Sequence, residues 1–152
     1  MTIRAVVPEA AAFAPFGVFV EAPARPGQRR LYSDWLAPVA GLALQVHTNR
    51  VSPTASPCTV TRVERHPHAA QLFLPLDGSR YLVTVMPPLP DGRPDAGRAQ
   101  AFVVPATLGV AYHRGTWHAG ITALDTEASF AVLMWRGAAD DDVLAEVPAV
   151  HV

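Results

Sequence analysis

The stretch Gln-Leu-Phe-Leu-Pro-Leu-Asp-Gly-Ser-Arg-Tyr-Leu-Val-Thr-Val-Met, residues 71–86, contains two apolar runs of strand length separated by turn-forming residues. Runs rich in Val, Leu, Phe, Thr and Tyr favour β-strands, whereas Pro and Asp-Gly favour turns. Turn-forming residues continue to separate short apolar runs along the chain, which has 15 prolines and 10 glycines. The predicted strands are Phe16–Glu21, Gly41–Thr48, Cys58–His66, Gln71–Leu76, Arg80–Met86, Ala101–Val104, Gly109–His113 and Ser129–Trp135.

These strands indicate an all-β sandwich or closed barrel. Several alternate in polarity, and no long helical period separates them as βαβ units would require. Short helical turns are predicted at Pro8–Phe13 and Asp141–Val147, and a surface loop at Pro87–Gly97. With 152 residues, no repeat and no linker, residues 1–152 are expected to form a single domain.

Composition excludes several function classes. The formal net charge of −1 provides no long-range attraction for nucleic acid or anionic lipid, so a small neutral or anionic ligand is favoured. The one cysteine, Cys58, allows neither an internal disulfide nor a thiolate-rich metal site. All 12 basic residues are arginine, and without lysine there is no Schiff-base chemistry.

The chain is expected to be soluble and cytoplasmic, without a membrane or nucleic-acid partner. Its N-terminal apolar stretch is interrupted by Pro8 and Glu9 and lacks the apolar region of a signal peptide. No stretch approaches the ~20 apolar residues that a membrane-spanning helix needs.

One dense cluster of polar side chains runs Arg-Val-Glu-Arg-His-Pro-His-Ala-Ala-Gln over residues 62–71. In a strand, Glu64, His66 and His68 would share a face, for which a solvated outer surface is the simplest explanation. The His-x-His spacing, however, resembles the first motif of cupin barrels, in which histidines and a carboxylate converge on a metal. With the looser second motif, the resemblance implies a divalent metal held by His66, His68, Gln71 and His113.

A second cluster, Tyr-His-Arg-Gly-Thr-Trp-His, occupies residues 112–118. His113 and His118 flank a predicted turn at Arg114-Gly115, so both are expected to point into a common cavity. Two neighbouring imidazoles can divide the roles of acid and base, although a single histidine is more often structural.

Both clusters belong to longer blocks. Glu64-Arg65-His66-Pro67 with Gln71–Leu76, and Gly109–His118, resemble the two signatures of the ureidoglycolate lyase family, and weaker similarity extends from Phe13–Gly17 to Arg136-Gly137. The resemblance implies a cupin-type, jelly-roll-like barrel and a homodimer. It also implies cleavage of ureidoglycolate to glyoxylate and urea in allantoin degradation.

That reaction needs a base for the carbinol hydroxyl and an acid for the departing urea nitrogen. Some members of the family are described as nickel-dependent, and a metal polarising the carbinol oxygen is the competing mechanism. The catalytic residues carried over are His66, His113, His118 and Glu64. The substrate-binding residues carried over are Arg65, Arg114, Gln71, Tyr112 and Trp117.

The chain departs from the family pattern at several positions. Ala70, Ala111, Ala119 and Trp135 stand where the family commonly has a serine, an asparagine, a histidine and an aspartate, while His68 replaces an apolar residue. Two alternatives therefore stay open: a metal-dependent cupin enzyme acting on another small keto acid or sugar, and a non-catalytic metabolite-binding cupin. In each case, the segments around His66 and His118 are expected to face each other inside one closed sheet.

Overall fold

Short antiparallel strands make up most of the chain. The computed structural model describes every residue from Met1 to Val152. One helix, α1 (Ala10–Phe13), precedes the first strand, and two 3₁₀ turns occur at Ser33–Leu36 and Ala96–Arg98. The strands are β1 (Gly17–Val20), β2 (Ala43–Val51), β3 (Thr59–Arg65), β4 (Gln71–Pro75), β5 (Arg80–Met86), β6 (Gln100–Pro105), β7 (Gly109–Tyr112), β8 (Trp117–His118), β9 (Thr122–Leu124), β10 (Ala128–Arg136) and β11 (Val143–His151).

The strands form two sheets that enclose a shared interior. The first sheet has the order β1-β7-β4-β10-β2, and the second has the order β11-β3-β8-β5-β6, with β9 paired to β5. All strand pairs are antiparallel, and the chain passes repeatedly from one sheet to the other. This is the jelly-roll-like arrangement of a cupin-type barrel. The prediction of an all-β fold of this type is confirmed.

Each predicted strand overlaps a strand of the structure, but one predicted helical turn is wrong. A short helical turn is predicted at Asp141–Val147, whereas Val143–His151 is β11, paired with β3. In its first part, half-buried Val143 and Ala145 alternate with exposed Leu144 and Glu146, which is the period of a strand. The turn predicted at Pro8–Phe13 does contain the helix α1.

Aromatic side chains join the two sheets at the centre of the interior. Phe130 on β10 is fully buried and meets Tyr81 of the opposite sheet edge to face, with ring centroids 5.1 Å apart. Phe73 on β4 contacts Phe130 with the same geometry at 6.4 Å. Edge-to-face pairs of this kind add to the free energy gained by burying the rings. The apolar packing of this region leaves one end of the barrel for polar side chains.

None of the helical segments has the length and apolar character that a membrane crossing requires.

Candidate active site

Three polar side chains from the second sheet converge at one end of the barrel interior. Glu64 on β3 lies directly opposite His118 on β8 in the strand register, and His66 follows β3 immediately. The Oε1 atom of Glu64 lies 3.5 Å from Nε2 of His118 and 4.0 Å from Nε2 of His66. The two imidazole rings have centroids 5.2 Å apart. The segments around His66 and His118 therefore do face each other inside the barrel.

His118 is fixed by contacts from both sheets. Its Nε2 lies 3.1 Å from Oε1 of Gln71 on β4, and its Nδ1 lies 3.0 Å from the carbonyl oxygen of Thr116. The ring of Tyr112 on β7 stacks on it, with centroids 4.1 Å apart and planes 16° from parallel. Because both nitrogens face oxygen acceptors, each hydrogen bond requires a proton on His118. With Glu64 beside it, His118 is arranged as a proton donor.

His66 is bonded differently. Its Nδ1 hydrogen-bonds to the carbonyl oxygen of Asp141 at 3.0 Å and lies 3.0 Å from Oδ1 of Asp142. Both are acceptors, so Nδ1 carries the proton. Its Nε2 is buried without a hydrogen-bond partner. His66 therefore presents a nitrogen free to accept a proton or to bind an ion.

The charges of the site follow from these contacts. The hydrogen bond from His118 lowers the pKa of Glu64, and the Arg136 guanidinium lowers the pKa of Asp142. Burial, followed by the charge of His118, lowers the pKa of His66. Burial raises the pKa of Tyr112 well above its ordinary value. At neutral pH the site thus holds two carboxylates, a neutral His66 and a neutral phenol.

Glu64, His66 and His118 also form a set that fits a divalent metal. Their ligand atoms all lie within 4.8 Å of one another. Two imidazoles and one carboxylate suit first-row transition metals, and the unpartnered Nε2 of His66 is a buried ligand atom that nothing in the protein satisfies. This set differs from the predicted His66, His68, Gln71 and His113.

His68 lies outside this cluster. Its Nε2 pairs with Asp140 at 2.7 Å, and 39% of its side chain is exposed. The alternation expected to align it with Glu64 and His66 fails because β3 ends at Arg65 and Pro67 interrupts the backbone.

His113 does not share a cavity with His118, contrary to the sequence-based expectation. The turn at Arg114-Gly115 leads from β7 in the first sheet to β8 in the second, so it separates the two imidazoles. Nε2 of His113 lies 3.0 Å from the carbonyl oxygen of Ala14, and its ring packs 4.6 Å from that of Trp35. Trp35 and His113 line an outer groove of about 700 Å³ that does not include Glu64, His66 or His118.

The remaining predicted substrate-binding residues also fall into two groups, one inside the barrel and one outside it. Gln71 and Tyr112 contact His118 inside the barrel. The guanidinium of Arg65 lies 4.8 Å above the ring of Trp117, whose Nε1 donates to the carbonyl oxygen of Gly92. Arg65 follows inward-facing Glu64 on β3, and Trp117 precedes inward-facing His118 on β8. Because side chains alternate between the two faces along a strand, Arg65 and Trp117 lie on the other face of the sheet. Arg114 is exposed in the turn.

Two charged residues of the site were missed by sequence reasoning. Asp142, in the loop between β10 and β11, contacts His66, and Arg136 at the end of β10 bonds to Asp142. The sequence offered one weak signal, the Arg136-Gly137 pair within the region of family similarity. Nothing in the sequence indicated that this pair and the acidic run at 140–142 meet His66.

Comparison with solved structures finds similar chains, of which two are described here. RmlC from Streptococcus suis, solved in complex with dTDP-D-xylose, has a TM-score of 0.47 and 18% identity, covering 64% of this chain and 46% of that one. The dTDP-4-dehydrorhamnose 3,5-epimerase of Elizabethkingia anophelis has a TM-score of 0.45 and 18% identity, covering 64% of this chain and 53% of that one.

Comparison with curated proteins finds nearer relatives, each named ureidoglycolate lyase. The protein from Salmonella paratyphi B is 35% identical over 103 residues, which cover 68% of this chain and 62% of the relative. The protein from Schizosaccharomyces pombe is 39% identical over 88 residues, 55% of this chain and 46% of that relative. The matched region thus spans less than two thirds of these relatives. A family model described as ureidoglycolate lyase matches residues 1–150. This chain belongs to the ureidoglycolate lyase family.

Proposed function

We propose that this protein is a carbon–nitrogen lyase that cleaves ureidoglycolate to glyoxylate and urea in the degradation of allantoin. Family membership over residues 1–150 and relatives named ureidoglycolate lyase support this substrate. The observation that carries the proposal is the unequal bonding of two buried imidazoles on one carboxylate. His66 has a free Nε2, whereas His118 has an acceptor at each nitrogen.

His66 is the base in this proposal. Because Nδ1 holds its proton against two acceptors, the lone pair of the neutral ring is on Nε2, which faces Glu64 and His118. That nitrogen takes the proton of the carbinol hydroxyl. The oxygen then forms the carbonyl of glyoxylate as the C–N bond breaks, and the bonding pair goes to the urea nitrogen.

His118 is the acid. Its Nε2 proton, directed at Gln71 and Glu64, passes to the departing nitrogen, so urea leaves as a neutral molecule. Glu64 stabilises the protonated imidazole before this transfer. The proton gained by His66 and the one lost by His118 balance, and exchange between the rings or with solvent restores the starting state.

Gln71 and Tyr112 are proposed substrate contacts. The amide of Gln71 can both donate to and accept from the ureido group or the hydroxyl. The hydroxyl of Tyr112 is buried without a partner and offers a further hydrogen bond. Carboxylate recognition by Arg65 and Arg114 has less support, because both lie away from the two imidazoles.

A divalent ion such as nickel is the second candidate for this site. Glu64, His66 and His118 would hold it, and it would polarise the carbinol oxygen in place of proton transfer at the two Nε2 atoms. The bonding of His66 favours this alternative. Its Nε2 is a buried ligand atom that no group of the protein satisfies, and it lies within 4.8 Å of the ligand atoms of Glu64 and His118.

Incubation with ureidoglycolate tests both candidates. We expect equal amounts of urea and glyoxylate to be released, measured with and without a chelator. Turnover that survives the chelator supports proton transfer by His66 and His118. Turnover lost on chelation and restored by Ni²⁺ assigns these side chains to an ion instead. Protein that releases no urea under either condition, or with Ni²⁺ added, would show that the substrate is a different one.

We propose further that the protein is a homodimer that pairs through β2. This strand is an edge of the first sheet and leaves one row of backbone groups without a partner strand. It is exposed along most of its length, including Leu44 (45%) and Val46 (60%). Exposed apolar edge strands favour association.

Replacement of Val46 by aspartate is expected to convert the dimer to a monomer in sedimentation velocity. The same substitution at exposed Leu144 of β11 in the second sheet serves as the control and should leave the dimer intact. A monomeric parent protein would contradict the proposal.

A further inference from the structure

The loop between β10 and β11, residues 137–142, lies behind His66 and is closed on itself. The carboxylate of Asp141 accepts hydrogen bonds from the backbone amides of Gly137 at 2.6 Å and of Ala138 at 3.2 Å. These bonds return the end of the loop to its start. They fix the backbone carbonyl of Asp141, which accepts the Nδ1 proton of His66.

The next residue, Asp142, is held from the other side by Arg136. Nη1 of Arg136 donates to Oδ1 of Asp142 at 2.9 Å, and Nη2 donates to Oδ2. Such a two-point contact defines the orientation of the carboxylate as well as its position. The same Oδ1 lies 3.0 Å from Nδ1 of His66. One oxygen atom thus links the guanidinium to the imidazole.

We propose that Asp142, clamped by Arg136, is a positioning residue that holds His66 with Nε2 directed at Glu64 and His118. The inference rests on the proposed function for its effect on turnover. Its structural content does not depend on that function, because a fixed Nε2 is needed whether the atom accepts a proton or binds an ion.

The reason lies in the acceptor strength at Nδ1. A neutral imidazole exchanges its proton between two nitrogens, and the tautomer is set by the hydrogen bond that the other nitrogen makes. A carboxylate is a stronger acceptor than the backbone carbonyl of Asp141. Asp142 therefore adds to the preference for a proton on Nδ1 that the bond to the carbonyl of Asp141 provides, and the burial of His66, with 4% exposed, excludes water that would otherwise compete. In metal sites, loss of such a partner lowers affinity by ~10–100-fold.

The experiment compares D142A and D142N with D140N. Asp140 is the matched control because it is an acidic residue of the same loop that pairs with exposed His68 instead of His66. The first readout is the tautomer of His66 by ¹⁵N NMR of the imidazole in metal-free protein. The second is affinity for Ni²⁺ alone by calorimetry, and the third is kcat and KM for ureidoglycolate.

In the parent protein and in D140N, we expect the Nδ1–H tautomer of His66 alone. D142A should populate the Nε2–H tautomer, bind Ni²⁺ ~10–100-fold more weakly and lose ~10-fold in kcat with KM within a few-fold. D142N, which keeps the size of the side chain but loses its charge, should change in the same direction. If D142A fails to fold, D142N tests the proposed role of Asp142 in its place.

A His66 that keeps the Nδ1–H tautomer in both variants would overturn the proposal. So would equal losses of Ni²⁺ affinity in D140N and D142N. If the parent protein neither cleaves ureidoglycolate nor binds Ni²⁺, the proposed function fails, and the tautomer measurement still decides the role of Asp142.

Discussion

Replacing His118 by glutamine is expected to lower kcat for ureidoglycolate cleavage by ~10²-fold or more, the usual scale for a positioned acid–base group. His118 is 1% exposed and bonds to Gln71, Thr116 and Glu64, so its ring has one orientation. Glutamine approximates the length of the side chain but cannot be protonated near neutral pH. KM should change less than kcat, since the lost interaction acts in the transition state.

Two further histidines serve as controls for this substitution. His151 is exposed at the end of β11 and bonds to Thr59, so H151Q should leave kcat unchanged. H113Q is expected to retain turnover, because the imidazole of His113 packs on Trp35 outside the barrel. Equal loss in H113Q and H118Q would favour the sequence-based prediction that both imidazoles serve one cavity. Full activity in H118Q would remove it from the mechanism.

Replacing Phe130 by alanine is expected to lower the free energy of unfolding by about 3–5 kcal/mol. Domains of this size are stable by ~5–15 kcal/mol, so the variant would be close to unfolding. Phe130 is fully buried and contacts Phe73 in its own sheet and Tyr81 in the other. Its removal leaves a cavity that rigid sheets on both sides cannot close.

Denaturant unfolding measures this loss. L76A is the control, because Leu76 is 59% exposed and its truncation should cost less than ~0.5 kcal/mol. A similar small change in F130A would mean that the two sheets do not share one packed interior.

The strand pattern was predictable because each strand depends on local chemistry. Pro, Gly and Asp end the apolar runs, and alternation identifies the buried face, as in β10 at Ala128–Arg136. β8 and β9 are only two and three residues long, too short for any pattern to develop. The start of β11 is predicted as a helical turn because an acidic start resembles a helix N-terminus, whereas half-buried and exposed positions alternate after Asp142 with a period of two.

The site was predictable in its members but not in its pairings. Glu64, His66, His118, Gln71 and Tyr112 all occur within the two sequence signatures, and they meet in the structure. His113 was grouped with His118 on the assumption that a tight turn keeps both strands in one sheet. Here the turn crosses between sheets, which depends on contacts distant in sequence.

The hydrogen bond between His118 and Gln71 joins the two sheets at the polar end of the barrel. In the resting protein these two side chains already satisfy each other, and any molecule that comes between them must replace their bond with its own. A ligand that supplies a hydrogen-bond acceptor for the imidazole of His118 and a partner for the amide of Gln71 replaces their bond at little net cost in free energy. A ligand that separates His118 from Gln71 without bonding to both leaves a buried polar group without a partner. Each such group costs ~1–3 kcal/mol. The hydrogen bond between His118 and Gln71 thus selects against apolar molecules of the right size before any reaction begins.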